Sequence, residues 1–196
     1  MEKSEIEQLY FNLREEMNQQ WKRTLPMGEL FVNRWEKAEF LNFGKGTSIY
    51  DSSIVMGQVD VGENTWIGPN TLLDGTGGSL TIGKGCNISA GVQIYTHDTV
   101  KRCLSEGKAE IDKGAVSIGD FCYIAPMSII AKGVTIGSHC VVAAHSFVKQ
   151  SCEDFAIIAG IPAVQIGRVV IENDEVKLEY FAQSNGAERG GKNENT

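Results

Sequence analysis

Aliphatic residues recur along this chain every six positions. From Ile49 the step lands on Val55, Val61, Ile67 and Leu73, and after a nine-residue step through Gly75, Thr76, Gly77 and Gly78 it resumes at Ile82, Ile88 and Ile94. It returns at Ile118, Ile124, Ile130, Ile136, Val142 and Val148, and the gap from Ile94 to Ile118 is itself four sixes, so the phase survives the break. A second column lies four residues after the anchors, where small or β-branched residues such as Ser53, Thr65, Thr71, Cys86, Cys122, Ser128 and Ser146 stand. Glycine often follows the anchor directly, as at Gly62, Gly68, Gly83, Gly119 and Gly137. A helix repeats near 3.6 residues and a strand at 2. A period of six fits neither alone. It fits a short strand followed by a corner, with one large aliphatic turned inward per repeat, stacked coil on coil as a solenoid.

The ends differ from the middle. Ser4 and Glu7 have capping-box spacing, and Ile6, Leu9, Tyr10, Leu13, Met17 and Trp21 fall on one face of a helix predicted over 4–23, which Pro26 ends. The stripe is expected to cover the open first coil or to pack on a neighbouring subunit. The expected organisation is a helical cap over 1–44, a repeat domain over 45–170 and an extension over 171–196, whose Ser-Gly-Asn-Glu-rich end from about 183 reads as disordered. Between Thr96 and Ala115 the repeat breaks, which predicts a loop protruding from a corner.

Composition narrows the function. The 196 residues carry a formal charge of −7, with no global basic footprint for nucleic acid. The 22 glycines exceed the roughly 7% of average usage and suit an ordered fold with many tight turns. No apolar run approaches the ~20 residues of a membrane helix, and the opening MEKSEIEQLY lacks the apolar core of a signal peptide, so a cytoplasmic protein without membrane insertion is expected. The five cysteines, Cys86, Cys103, Cys122, Cys140 and Cys152, form no CxxC pair, which argues against a disulfide framework or a structural zinc site. Three of them stand in the small corner column and read as inert fillers.

The six-residue repeat over roughly 45–170, with the run Ala159-Gly160-Ile161-Pro162-Ala163 near its end, resembles the hexapeptide-repeat acyltransferases, and within them the galactoside, maltose and polysaccharide O-acetyltransferases. The resemblance implies an all-β fold, a left-handed parallel β-helix with the helical appendage and protruding loop already noted. It implies a homotrimer that binds acetyl-CoA in grooves between subunits and needs no metal. In such enzymes the catalytic histidine follows an aliphatic anchor at the mouth of the loop, the place His97 takes in Ile94-Tyr95-Thr96-His97. Histidine suits a general base because it titrates close to neutral pH. Asn70 and Asp74 match residues that hold acceptor hydroxyls, although both are also favoured turn residues. Tyr123 takes the place of an aromatic beside the acceptor. For acetyl-CoA the resemblance points to Ala125, Ala143, Lys149, Ile161, Pro162 and Arg168, with Lys149 and Arg168 the candidates for its phosphates. An oxyanion amide is expected near Ala125 and Pro126. Pro126 has no N–H, so the donor is left to Ala125, Met127 or another strand. His139 and His145 lie inside later repeats and read as structural.

The reaction this implies is acetyl transfer from acetyl-CoA to a sugar or saccharide hydroxyl, in surface polysaccharide assembly. The alternatives are N-acetylation of a nucleotide-linked amino sugar, serine acetylation, and a non-catalytic hexapeptide scaffold.

Overall fold

The structure, a computed structural model, describes residues 3–182. Its body is a parallel β-solenoid with three faces per coil. On the first face, Ser48 pairs with Trp66, Trp66 with Asn87, Asn87 with Tyr123 and Tyr123 with Val141. On the second, Leu73 pairs with Ile94, Ile94 with Ile130 and Ile130 with Val148. On the third, Val61 pairs with Ile82, Ile82 with Ile118 and Ile118 with Ile136. A regular turn spans eighteen residues, three hexads, as between Ser48 and Trp66 or Ile118 and Ile136; the nine-residue step lengthens one turn to twenty-one, as between Trp66 and Asn87.

The register explains the anchors. Ile49, Ile67, Ile88, Ile124 and Val142 fall in one column and are fully buried, with equivalent columns behind the other faces. Neighbouring coils lie a strand spacing of about 4.8 Å apart, so each aliphatic packs on its counterparts above and below. Ile124→Ala is expected to cost about 2–5 kcal/mol, the usual range for such a truncation in a core, read as a lowered midpoint of thermal unfolding.

The small column closes the corners. Thr47 Oγ1 donates to the Gly62 carbonyl (2.7 Å) and Thr65 Oγ1 to that of Gly83 (2.9 Å). Cys86, Cys122 and Cys140 repeat the bond with their thiols, to Gly119 (3.1 Å), Gly137 (3.0 Å) and Glu153 (3.1 Å). The thiols thus continue what the threonines begin, tying each corner to the next coil. Hydrogen bonds with the Cys140 and Cys86 thiols, together with burial, hold the Cys122 thiol above its ordinary pKa.

Among the described residues four helices accompany the solenoid: α1 (Lys3–Trp21), α2 (Met27–Phe31), α3 (Arg34–Phe40) and α4 (Val100–Leu104). The first coil is covered by α3, not by α1. Asn33 caps α3 through the N–H groups of Trp35 (3.0 Å) and Glu36 (3.3 Å), and Ala38 is buried in the core cluster beside Phe43. Lys37 Nζ then fastens the helix to the carbonyls of Tyr50, Asp51 and Ser53. The predicted stripe on α1 keeps Ile6, Leu9 and Trp21 exposed. The shorter helix wins because it lies in the chain immediately beside the coil it covers.

At the other end the first face continues as an antiparallel hairpin, Ala163–Glu172 with Glu175–Tyr180. Its two-residue turn puts both Asn173 (φ 50°) and Asp174 (φ 64°) in the left-handed region, a geometry that matches the twist of the flanking strands. The hairpin crosses the boundary expected at residue 170, and the tail expected to be disordered from about 183 lies outside the described residues. Among the described residues no helix is long and apolar enough to cross a membrane.

The protruding loop leaves the solenoid after Thr96 and returns at Gly114, whose N–H donates to the Thr96 carbonyl (2.8 Å). Inside it, His97–Asp98 pairs antiparallel with Asp112–Lys113, and α4 forms the outer part. Across this excursion the pairing distance grows from eighteen to thirty-six residues, as between Asn87 and Tyr123, and the register resumes unchanged.

Candidate active site

The site forms where the irregular corner Gly75–Gly78 meets the root of the loop. Asp74 ends the second-face segment of strand Leu72–Ile82, and its register partner in the next coil is Tyr95. The corner then brings the backbone of residues 76–77 against Thr96 and His97. A Cβ on Gly77 would collide with the His97 Cβ and the Thr96 carbonyl, so only glycine allows this approach.

Asp74 is buried, its side chain 2% exposed, yet both carboxylate oxygens are used. Oδ1 accepts from the Thr76 N–H (2.9 Å) and the Thr76 hydroxyl (2.6 Å), and Oδ2 lies 3.1 Å from His97 Nδ1. Thr96 Oγ1 donates to the Asp74 carbonyl (2.7 Å) and accepts from the Gly77 N–H (2.9 Å), locking corner and loop root together. The Thr76 hydroxyl also stands 3.3 Å from Nδ1, but its single proton is committed to Asp74. A carboxylate only accepts, so Nδ1 carries the proton and Nε2 holds the lone pair. The His97 side chain remains 29% exposed. A neutral imidazole oriented from behind by a buried carboxylate, with its second nitrogen free, is equipped to take a proton.

Within this chain both oxygens of Asp74 are engaged, Oδ1 by Thr76 and Oδ2 by His97. Asn70 sits at another corner, between the first and second faces. Its φ of 56° and its N–H bond to Ser52 Oγ (3.2 Å) make it a turn residue. Tyr123 is exposed on the first face. Within one chain, then, Asp74 and His97 meet, whereas Asn70 and Tyr123 lie on other parts of the prism.

The residues expected to hold acetyl-CoA divide. The Ala125 N–H donates to Val142 O and the Ala143 N–H to Ile158 O, both at 2.9 Å, and the Ser128 hydroxyl lies 2.9 Å from the carbonyl oxygens of Ala125 and Ala143. Their amides are therefore committed to the coil ladder. The Met127 N–H is equally committed, to Ala90 O at 3.0 Å, so neither Ala125 nor Met127 has an amide to offer an oxyanion. Lys149 is exposed, as are Ile161 and Pro162, which a cis peptide joins. Arg168 is exposed but paired with Glu179 through Nε (2.8 Å) and Nη2 (2.7 Å). His139 and His145 both adopt left-handed backbone, with φ of 57°. The His139 ring stacks between Phe121 (5.1 Å) and Phe155 (5.0 Å), and the His145 N–H donates to Pro126 O (3.1 Å).

Thr76 and Thr96 are the site residues that the sequence alone did not single out. The signal was present in the nine-residue step, since three extra residues at one corner are what push Thr76 back onto Asp74.

A three-faced parallel solenoid with hexad coils and an interrupting loop that begins in a histidine defines the class as a hexapeptide-repeat protein. Residues 115–150 match the family Bacterial transferase hexapeptide (six repeats). The carnitine operon protein CaiE of Escherichia fergusonii is 31% identical over 139 residues, covering 68% of this chain and 69% of that protein. The chain belongs to the bacterial hexapeptide-repeat transferase family. The match to CaiE of Escherichia coli K12 is 31% over 127 residues and spans 64% of that relative's length. Among solved structures, AntD, an N-acyltransferase from Bacillus cereus seen with dTDP and 3-hydroxybutyryl-CoA, is 27% identical with a TM-score of 0.58, over 64% of this chain and 71% of that one. The hexapeptide-repeat acetyltransferase VCA0836 of Vibrio cholerae, seen with acetyl-CoA, shares the fold at 21% identity and a TM-score of 0.50, over 84% of this chain and 87% of that one.

Proposed function

We propose that the protein transfers an acetyl group from acetyl-CoA to a sugar or saccharide hydroxyl, with His97 as general base and Asp74 as the residue that positions it. The observation that carries this reading is the contact of 3.1 Å between Asp74 Oδ2 and His97 Nδ1, which leaves the lone pair on Nε2. Nε2 takes the proton of the acceptor hydroxyl as its oxygen attacks the thioester carbonyl. The tetrahedral intermediate collapses with loss of CoA thiolate, to which the imidazolium returns the proton. No acyl-enzyme is required. Because the Ala125 and Met127 amides are committed within the chain, the oxyanion donor comes from elsewhere, and a second subunit is its natural source.

In this reading the solenoid is left-handed, the working form is a cytoplasmic homotrimer, and the acceptor and acetyl-CoA sites lie between subunits. Such an assembly unites what one chain holds apart: Asn70 and Tyr123 face the acceptor from one subunit while His97 reaches it from the next. The exposed Ile161 and Pro162 suit the pantetheine arm, and Lys149 and Arg168 suit the phosphates. The likeness to AntD supports a second reading, N-acylation of a nucleotide-linked amino sugar.

The test is release of CoA from acetyl-CoA with methyl β-galactoside, maltose, glucosamine and a dTDP-linked amino sugar, with the products identified by mass. Transfer to a hydroxyl supports the first reading and transfer only to amines the second. An enzyme silent with all four, and with serine as control, removes both.

A further inference from the structure

The loop that carries His97 is fastened to the solenoid by a charge cluster that the chemistry above does not use. Asp98 and Asp112 stand directly opposite each other in the short antiparallel pair at the base of the loop. Like charges in facing positions across two strands repel, and this pair forms next to the catalytic imidazole. Lys132 enters from the following coil, two residues past Ile130, which pairs with Ile94. Its Nζ lies 2.8 Å from Asp98 Oδ2 and 3.3 Å from Asp112 Oδ2, so one ammonium bridges both strands of the loop base. Its side chain is 23% exposed, against 40% and 38% for the two carboxylates, so it is the most sheltered of the three. Lys101 also meets Asp112 (3.4 Å), but it belongs to α4 within the loop and cannot tie the loop to the solenoid.

The geometry points to Lys132 as a positioning residue for His97, acting through Asp98 and Asp112 by holding the base of the loop closed against the solenoid. The inference rests on the reading of His97 as the base. The ionisation of the three groups agrees with it. Hydrogen bonding to Lys132 holds the Asp98 and Asp112 carboxyls below their usual range, and Asp98 in turn holds the Lys132 ammonium above its own. Asp74 makes none of the cluster's ion pairs and remains in place when the cluster is broken.

Lys132→Met leaves two facing carboxylates with only Lys101 between them. It is expected to lower kcat about tenfold to a hundredfold, as small displacements of a catalytic group do, with KM for acetyl-CoA unchanged. Lys132→Arg restores the bridge and the rate. Adding Asp98→Asn to Lys132→Met removes the repulsion and recovers most of kcat. The assay uses the best acceptor of the panel above. Hydrogen exchange of the intact protein supplies a readout independent of catalysis: in Lys132→Met the amides of residues 98–113 exchange faster while those of the other coils do not change. Lys132→Gln is the second variant and is read the same way. Unchanged exchange over 98–113, or a double variant no better than Lys132→Met, overturns the assignment. If the wild-type protein transfers acetyl to nothing in the panel, the functional reading falls while the exchange result still decides the role of Lys132.

Discussion

Replacing His97 with alanine lowers kcat by about 10²–10⁴-fold, the contribution general-base catalysis typically makes, and leaves KM for acetyl-CoA close to that of the wild type. A sugar hydroxyl is a weak nucleophile until its proton has somewhere to go, and Nε2 of His97 is the acceptor that the Asp74 contact leaves open. Steady-state kinetics with a hydroxyl acceptor check this. His139→Ala and His145→Ala are expected to act through stability, because the first removes the middle ring of an aromatic stack and the second a corner residue. A His97→Ala enzyme that keeps near-full activity on a hydroxyl would show that the base lies elsewhere.

Asp74→Asn reaches a loss of similar size by a different route. Oδ1 is fixed by two donors from Thr76, so the introduced amide keeps its oxygen there and turns its NH2 toward His97 Nδ1. An NH2 group only donates, so Nδ1 becomes an acceptor and the ring proton moves to Nε2, the position that must be free. The corresponding exchange in the Ser-His-Asp triad drops kcat by about 10⁴, and a fall between about 10² and 10⁴ is expected here. Because the amide fits the same space, the unfolding midpoint should move little. A large drop in that midpoint with a proportionate drop in active protein would assign Asp74 to stability instead.

The repeat made the solenoid legible. One buried aliphatic per hexad is a direct imprint of three faces per coil, and the in-phase gap from Ile94 to Ile118 already implied a loop that leaves the register intact. The place of His97 was legible for the same reason, as the residue where the pattern stops. Its contact with Asp74 was not. In sequence Asp74 is a residue beside a glycine-rich turn, and only the three-dimensional corner shows that its carboxylate faces inward to Nδ1 rather than outward. The covering of the first coil by α3 was not legible, because periodicity marks an apolar stripe without marking what it meets. The stripe on α1 is longer than that on α3, yet α3 leads directly into the first coil.

The unchanged register on either side of the loop carries a consequence for how such a protein diversifies. Bringing together residues thirty-six apart instead of eighteen adds only about 0.6 kcal/mol of chain entropy, a small charge against the columns of aliphatics on either side. The loop can therefore lengthen, shorten or change sequence between Asp98 and Asp112 while the coils above and below hold their pairing. His97 stands at the fixed root of that variable segment, where Thr96 and Gly77 lock it to the solenoid. Under the proposed reading, a lineage of such enzymes can exchange one acceptor for another by rewriting the segment between those two carboxylates, without disturbing the proton acceptor itself.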